Sequence, residues 1–407
     1  MVKYKDLRQF TFENAGRQSK KVSEEYANRY YSVASIRLPF KVMGYNSFVM
    51  YNDEMMNEIS AIYQLNSQII SELSTMPSGA SKSYVVQSLI EEIQQSNEFE
   101  NVESTRQEIE TAYVHSKDSK YYRFVGMVNK YTMLVSKKKI SLATSSDIRA
   151  LYDEFVLKEV VQEDPGDRPD GEIFRKGEVH VLGKTVGGAY DGLFPEPVII
   201  ETMDQALSFF NDNSIDILIR VSVFHFIFGY IHPFYNGNGR MARFITGYKM
   251  SEVIDRTVCL RMSYIIKKNK SKYQRMFKNA EDRRSMGDLT RFVIDFLGLI
   301  HEACVDVKED LHEKNEQYKH QMELLEVVLK NELSNLPSKY HDVLYFILER
   351  TIFVGIGATM DELMSNTGFG KNTLNKVLQN SSEIVQGKRM GRRIHWFMKE
   401  LGDKSDE

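Results

Sequence analysis

The run Ser222-Val223-Phe224-His225-Phe226-Ile227-Phe228-Gly229-Tyr230-Ile231, followed at once by His232-Pro233, constrains the fold more than any other stretch of the chain. It reads as a buried helix. Proline has no N–H and disfavours helix in the residue before it, so this helix should stop near His232-Pro233. Gly237-Asn238-Gly239 then offers a backbone that can take positive φ and let a ligand come close, with Asn the residue next best suited to that conformation. Arg240-Met241-Ala242-Arg243-Phe244-Ile245-Thr246-Gly247-Tyr248 reads as a second helix, with two arginines three apart on one face of its first turn. A helix N-terminus with free amides and two guanidinium forks suits a polyphosphate. His232, at the mouth of the loop, is the nearby titratable base.

Taken singly, each feature has an ordinary explanation: a turn, a satisfied histidine, two solvated arginines. Together they match a pattern. The stretch resembles the Fic motif, H-x-F-x-(D/E)-G-N-G-R-x-x-R, at His232, Phe234, Gly237, Asn238, Gly239, Arg240 and Arg243. It departs at one place, where the acidic residue of the family is Asn236. In the family that carboxylate helps hold the Mg²⁺ that bridges the nucleotide phosphates. A neutral amide oxygen is a poorer ligand for a hard cation, which puts rate and metal dependence in question.

Length and charge set wider bounds. The 407 residues allow two or three domains, and a net charge of −3 with a pI of about 6.4 gives no global sign of nucleic-acid or anionic-membrane binding. Two cysteines, Cys259 and Cys304, give neither a disulfide framework nor a metal-ligand spacing, and the first residues show no apolar signal core. A cytoplasmic protein is the expectation. Between Ile215 and Ile231 the charged or polar Asp216, Arg220 and His225 favour a buried helix over a membrane span.

Along the chain, residues 1 to about 45 are mixed, with Pro39 breaking any helix there. Apolar residues at helical spacing from Asp53 to Pro77, and again from Ser81, predict two helices. The second runs into Ser96-Asn97-Glu98-Phe99-Glu100-Asn101, which fits S/T-x-x-x-E-G/N, the inhibitory motif of Fic proteins whose inhibitory helix lies upstream of the active loop. An acidic helix end of this kind is usually only solvated. The resemblance instead implies that Ser96, Glu100 and Asn101 are inhibitory, with the Glu100 carboxylate pairing with Arg243 and denying it to the γ-phosphate.

Ile140 to Glu159 reads as an amphipathic helix capped around Ser145-Ser146-Asp147, and Asp164 to Gly171 as turn material. Phe174 to Gly183 alternates like a short strand pair. The resemblance places a target-docking hairpin flap within 174–187, where an exposed edge strand would bind the target's backbone. Tyr273 is the match for the family's adenine-pocket tyrosine, with Asn279 or Glu281 as its polar partner. A further long helix is expected from Val305 to Leu336, read as a linker against the core. Three short helices and a basic hairpin over 338–401 then outline a winged helix-turn-helix, with Lys371, Asn372 and Lys376 on its third helix. Such modules bind protein as well as DNA.

The expected fold is mainly α: a Fic helical core with a small β-hairpin flap, then a winged helix-turn-helix. Its expected parts are an N-terminal helical region with the inhibitory helix (1–110), the core (111–300), a linker helix (301–337) and the winged-helix domain (338–401). The resemblance implies a protein adenylyltransferase that moves AMP from ATP, with Mg²⁺, to a Ser, Thr or Tyr hydroxyl of a protein target or of itself. His232 would take the hydroxyl proton. Gly237, Asn238 and Gly239 would hold the α/β-phosphates, Arg240 and Arg243 the outer ones, and Phe234 would anchor the loop. Two other readings stay open: removal of AMP or another phosphoryl-type transfer at the same loop, and a nucleotide-sensing DNA-binding regulator. The sequence leaves the target and the oligomeric state, including a homo-oligomer, open.

Overall fold

The computed structural model describes residues 3–14, 19–179, 192–391 and 393–402. The protein is mainly helical, and its chain is divided between two compact units: residues 1–66 with 88–305, and residues 67–87 with 306–407.

The chain starts with α1 (Leu7–Glu13) and α2 (Ser19–Tyr30), then a two-stranded antiparallel sheet of β1 (Ser35–Val42) and β2 (Tyr45–Met50). Pro39, expected only as a helix breaker, lies inside β1. The ladder shifts register between Arg37 and Lys41, and a residue with no N–H is tolerated at such an irregularity. Two long helices follow, α3 (Asp53–Thr75) and α4 (Ser78–Phe99), then α5 (Arg106–Val114) and α6 (Val125–Val135). The helix expected from Ile140 is instead α7 (Ser145–Phe155), followed by α8 (Leu157–Glu163). Its cap is Thr144, not Ser145. The Thr144 hydroxyl accepts from Asp147 N while the Asp147 carboxylate accepts from Thr144 N, a reciprocal pair that fixes the start.

After α9 (Glu196–Phe210) comes α10 (Ile217–Ile231), with α11 (Asn238–Met250) beyond the loop. Every residue of α10 but Gly229 is buried, as a helix apolar on all sides requires, and α9 and α11 pack against it. Asp216 caps its start by accepting from Leu218 N at 2.8 Å. Three short helices, α12 (Arg256–Cys259), α13 (Met262–Lys268) and α14 (Lys270–Ala280), complete the surroundings of the loop.

The next helix, α15 (Thr290–Asn331), is a single element of 42 residues. The resemblance implies a closing helix of the core near Gly287–Phe296, and the apolar spacing predicts a separate one from Val305. Gly298 lies between them, but a lone interior glycine costs only about 1 kcal/mol and does not stop a helix that is buried along one side. The polar Asn315 in its apolar register is satisfied within its own unit, where its Nδ2 donates to Glu72 O at 3.0 Å and to Glu72 Oε2 at 2.9 Å.

The tail contains α16 (His341–Glu349), β3 (Ala358–Thr359), α17 (Met360–Thr367), α18 (Lys371–Asn380), β4 (Val385–Met390) and β5 (Arg393–Met398). The expected hairpin is present, and β3 adds a third antiparallel strand to give the order β3-β5-β4. Lys371, Asn372 and Lys376 are exposed on α18, as are Lys388 and Arg389 on β4. Of the segment 174–187 expected to form a flap, residues 174–179 are irregular rather than strand, and the remainder lies outside the described residues. Among the described residues, no helix is long and apolar enough to cross a membrane.

Candidate functional site

Helix α10 ends where the proline demands, and His232 takes up the left-handed conformation with φ of 51°. A non-glycine residue there carries about 1–2 kcal/mol of strain and persists only if its surroundings over-determine it. They do so through Arg175. Its fully buried guanidinium donates to four carbonyls: His232 O at 2.8 Å, Ile231 O at 3.4 Å, Leu193 O at 2.8 Å and Gly177 O at 2.5 Å. Its backbone N–H adds Pro233 O at 3.3 Å, so one residue holds three successive carbonyls across the histidine. The carbonyl end of a helix attracts a cation, so α10 also stabilises this buried charge. Tyr235 ties the same segment down, accepting from Gly177 N at 2.8 Å and donating to Asp170 Oδ1 at 2.9 Å.

The loop itself is closed by Asn238. Its side chain accepts from Phe234 N at 3.0 Å and donates to Phe234 O at 2.7 Å. This differs from the expectation that Asn238 supplies a left-handed backbone. Only Gly237 does that, with φ of 81°, and Asn238 is already the first residue of α11. Phe234 is a buried anchor, stacked on Tyr152 at 3.7 Å between centroids and edge-on to Phe174. Asn236 turns inward: its Oδ1 accepts from Gly237 N at 2.6 Å, its Nδ2 donates to Asp167 Oδ2 at 3.1 Å, and its carbonyl accepts from Tyr152 OH at 3.2 Å.

Arg240 and Arg243 occupy the start of α11 and are both buried, but their surroundings differ. Arg243 donates through Nε to Ser96 Oγ at 3.1 Å, through Nη2 to Ser96 O at 2.9 Å and through Nη1 to Glu100 Oε1 at 2.8 Å. Burial lowers its pKa, but the Glu100 charge and hydrogen bond together with Tyr273 and Tyr131 outweigh this, and the net displacement is upward. Arg240 is fully buried, and none of its three guanidinium nitrogens finds a hydrogen-bond partner among the described residues. Burial pulls its pKa down. An orphaned guanidinium is costly, and an anionic ligand would remove that cost.

The Glu100 carboxylate lies directly against Gly239, where any Cβ would collide with it. It therefore fills the space over the first turn of α11. Its helix stops one residue earlier, and Asn101 takes φ of 59° so that Val102 N can reach back to Asn97 O at 2.9 Å. The G/N alternative of the motif thus has a backbone cause, since those two residues tolerate that conformation best. Phe99 lies between cations, with Arg243 5.0 Å and Lys270 5.2 Å from its ring centroid, and meets Tyr273 edge-on at 5.7 Å. Tyr273 is buried, its hydroxyl 2.6 Å from His225 Nε2, while His225 Nδ1 lies 2.9 Å from Thr246 Oγ1. Burial and then the nearby Arg243 charge lower the His225 pKa to about 3, so this second imidazole is a neutral part of the core and not a base.

The structure thus brings together His232, Asn236 to Arg240, Arg243, Ser96 and Glu100. Sequence reasoning missed Arg175, Asp167 and Phe99. The first two lie in segments that read only as a strand and a turn; Phe99 was visible as the aromatic residue beside Glu100.

If Arg175 holds the His232 backbone, Arg175→Met should lower the urea midpoint markedly, because each abandoned buried carbonyl costs about 1–3 kcal/mol. Amide exchange at Leu193 and His232 should also quicken, and Arg175→Lys should recover part of both effects. Unchanged stability and exchange in Arg175→Met would show that the carbonyls are held by other groups.

Residues 142–248 match the profile of the Fic/DOC family. No curated protein matches the chain. Among solved structures, a Fic family protein from Desulfovibrio desulfuricans is similar at 17% identity and a TM-score of 0.53, over 91% of this chain and 100% of that one. A Fic domain containing signaling protein from Bacteroides thetaiotaomicron is 16% identical with a TM-score of 0.45, over 63% of this chain and 97% of that one. At such identities the first likeness speaks for the fold and the second carries no argument. The mainly helical fold has a Fic neighbour, and the stretch 142–248, with the histidine loop near its end, is a Fic/DOC domain.

Proposed function

We propose that the protein is an adenylyltransferase that transfers AMP from ATP to a hydroxyl of a protein target or of itself, and that Glu100 restrains it. The observation that carries this reading is the Glu100 carboxylate seated on Gly239 and paired with Arg243, an internal anion at the N-terminus of α11. A phosphate is the other kind of group that this amide end and guanidinium would attract. Arg240 feels the charges of Glu100, Glu163 and Glu159 but has no hydrogen-bond acceptor on its guanidinium among the described residues, which supports a ligand that brings acceptor oxygens to it.

In this reading Gly237, Asn238 and Gly239 bind the inner phosphates, Arg240 and Arg243 the outer ones, and Tyr273 borders the adenine. His232, partly exposed beside the loop, takes the proton of the target hydroxyl. The hydroxyl oxygen bonds to the α-phosphorus, and the bond from that phosphorus to the pyrophosphate oxygen breaks. The strained backbone held by Arg175 aims the imidazole before the target arrives, so little reorganisation is left for the reaction. Mg²⁺, when bound, would neutralise phosphate charge, and Asn236 is the ligand position that the motif points to.

Incubation with ATP labelled at the α-phosphate tests the proposal. His232→Ala should lose label transfer by about 10²–10⁴-fold while still binding ATP, because only the base is removed. Undiminished labelling would take His232 out of the mechanism. A second reading, a nucleotide-sensing regulator, draws on the exposed basic residues of α18 and β4 in a tail proposed to be a winged helix. Retention on duplex DNA with no label on protein would favour it.

The restraint has its own test. The Arg243 side chain is 1% exposed and that of Glu100 30%, so their pair falls between the roughly 0–1 kcal/mol of surface pairs and the roughly 3–5 kcal/mol lost when a buried pair is broken. Glu100→Gly should therefore raise labelling by on the order of tenfold or more. It should lower Tm without nucleotide and enlarge the rise in Tm that ATP produces. Labelling at the unmutated level in a folded Glu100→Gly protein would end the autoinhibition claim.

A further inference from the structure

Asn236 stands where the motif has an acid, and its amide nitrogen cannot ligate a cation. The carboxylate missing from that position is nevertheless close by. Asp167 Oδ2 lies 3.1 Å from Asn236 Nδ2, supplied by a segment 69 residues earlier in the chain. Its placement is built: Pro165–Asp167 form a single 3₁₀ turn in which Asp164 Oδ1 accepts from Gly166 N at 2.8 Å and Asp164 O accepts from Asp167 N at 3.1 Å. Asn236 is fixed from the other side by the Tyr152 hydroxyl on its carbonyl.

We infer that Asp167 supplies, beside Asn236, the anionic oxygen of a divalent-cation site at the phosphate end of the loop. The inference rests on the reading that the loop holds a nucleoside triphosphate. Mg²⁺ takes octahedral oxygens at about 2.0–2.1 Å, so neighbouring ligands of one ion lie about 3 Å apart, which is the spacing between the Asn236 amide and Asp167. Turning that amide over would present Oδ1 in place of Nδ2. The same flip takes the acceptor away from the Gly237 N–H and sets Nδ2 against it, so the side chain must also move off that amide, which a phosphate oxygen then satisfies. In the absence of a cation, the Asn236–Asp167 hydrogen bond holds the two ligand groups together.

A second observation points to a ligand at this place. Arg240, four residues along, keeps a fully buried guanidinium with no hydrogen-bond partner among the described residues. The Tyr152 hydroxyl, its pKa raised chiefly by burial, also feels the charges of both Arg240 and Asp167, so the two groups share one neighbourhood. An anion reaching Arg240 therefore passes close to an aspartate, and a divalent cation between them converts that repulsion into attraction.

Binding, not turnover, tests this. The full chain and its Glu100→Gly variant are titrated calorimetrically with α,β-methylene-ATP, with and without Mg²⁺, and Mn²⁺ occupancy is followed by electron paramagnetic resonance. Mg²⁺ should tighten nucleotide binding, and Asp167→Asn should remove tenfold or more of that tightening and release the Mn²⁺ signal while leaving Tm in place and the metal-free affinity no weaker, since the anion then meets no aspartate charge. Asparagine can still accept from Asn236 Nδ2, so a merely structural contact would survive the change. Full Mg²⁺ tightening in Asp167→Asn would overturn the assignment of Asp167 and leave the phosphate site standing. No nucleotide binding in any variant, with or without metal, would overturn both.

Discussion

The guanidinium of Arg243 is the constraint around which the candidate site is arranged. It is buried, and a buried cation must have an anion and hydrogen-bond acceptors nearby or the fold loses several kcal/mol. Ser96 supplies two acceptors and Glu100 supplies the charge. Because the same carboxylate lies on Gly239, an incoming anion cannot reach the first turn of α11 while Glu100 stays in place. Ligand and Glu100 therefore compete for one position. The stability of the resting arrangement and its resistance to a ligand are the same free energy.

Phe99 makes that competition steeper. Its ring faces the cations of Arg243 and Lys270 and meets Tyr273 edge-on, so a movement of the helix end that carries Glu100 away also gives up these contacts. The end of α4 is where such a movement costs least, since the helix has already stopped at Phe99 and Asn101 sits in the left-handed region.

Much of this was legible in the sequence, part of it from a local cause. The end of α10 could be read because Pro233 acts on its immediate neighbour. The pairing of Glu100 with Arg243, 143 residues apart, has no local cause and was legible only through the resemblance to the Fic motifs. The continuity of α15 could not be read, since Gly298 and the polar residues after it imitate a boundary that the packing of the helix overrides. Arg175 and Asp167 were invisible for a different reason. Each acts on the loop from a segment whose own pattern reports only a strand or a turn, and a side chain that reaches backbone carbonyls leaves no periodicity to detect.

The role of Asn238 shows how one residue type can fit a motif for a reason other than the expected one. The sequence suggests a tolerant backbone there, whereas the structure uses the asparagine amide as a donor and an acceptor at once, closing Phe234 onto the helix start. Asp could accept but not donate there, and Gly could do neither. A left-handed backbone position would accept all three. The amide requirement at Asn238 also separates it from Asn236, whose amide turns toward a carboxylate instead of toward the loop's own carbonyl. Two asparagines two residues apart thus do opposite things: Asn238 locks the loop by satisfying it internally, and Asn236 keeps it open to Asp167, a charge from outside the motif.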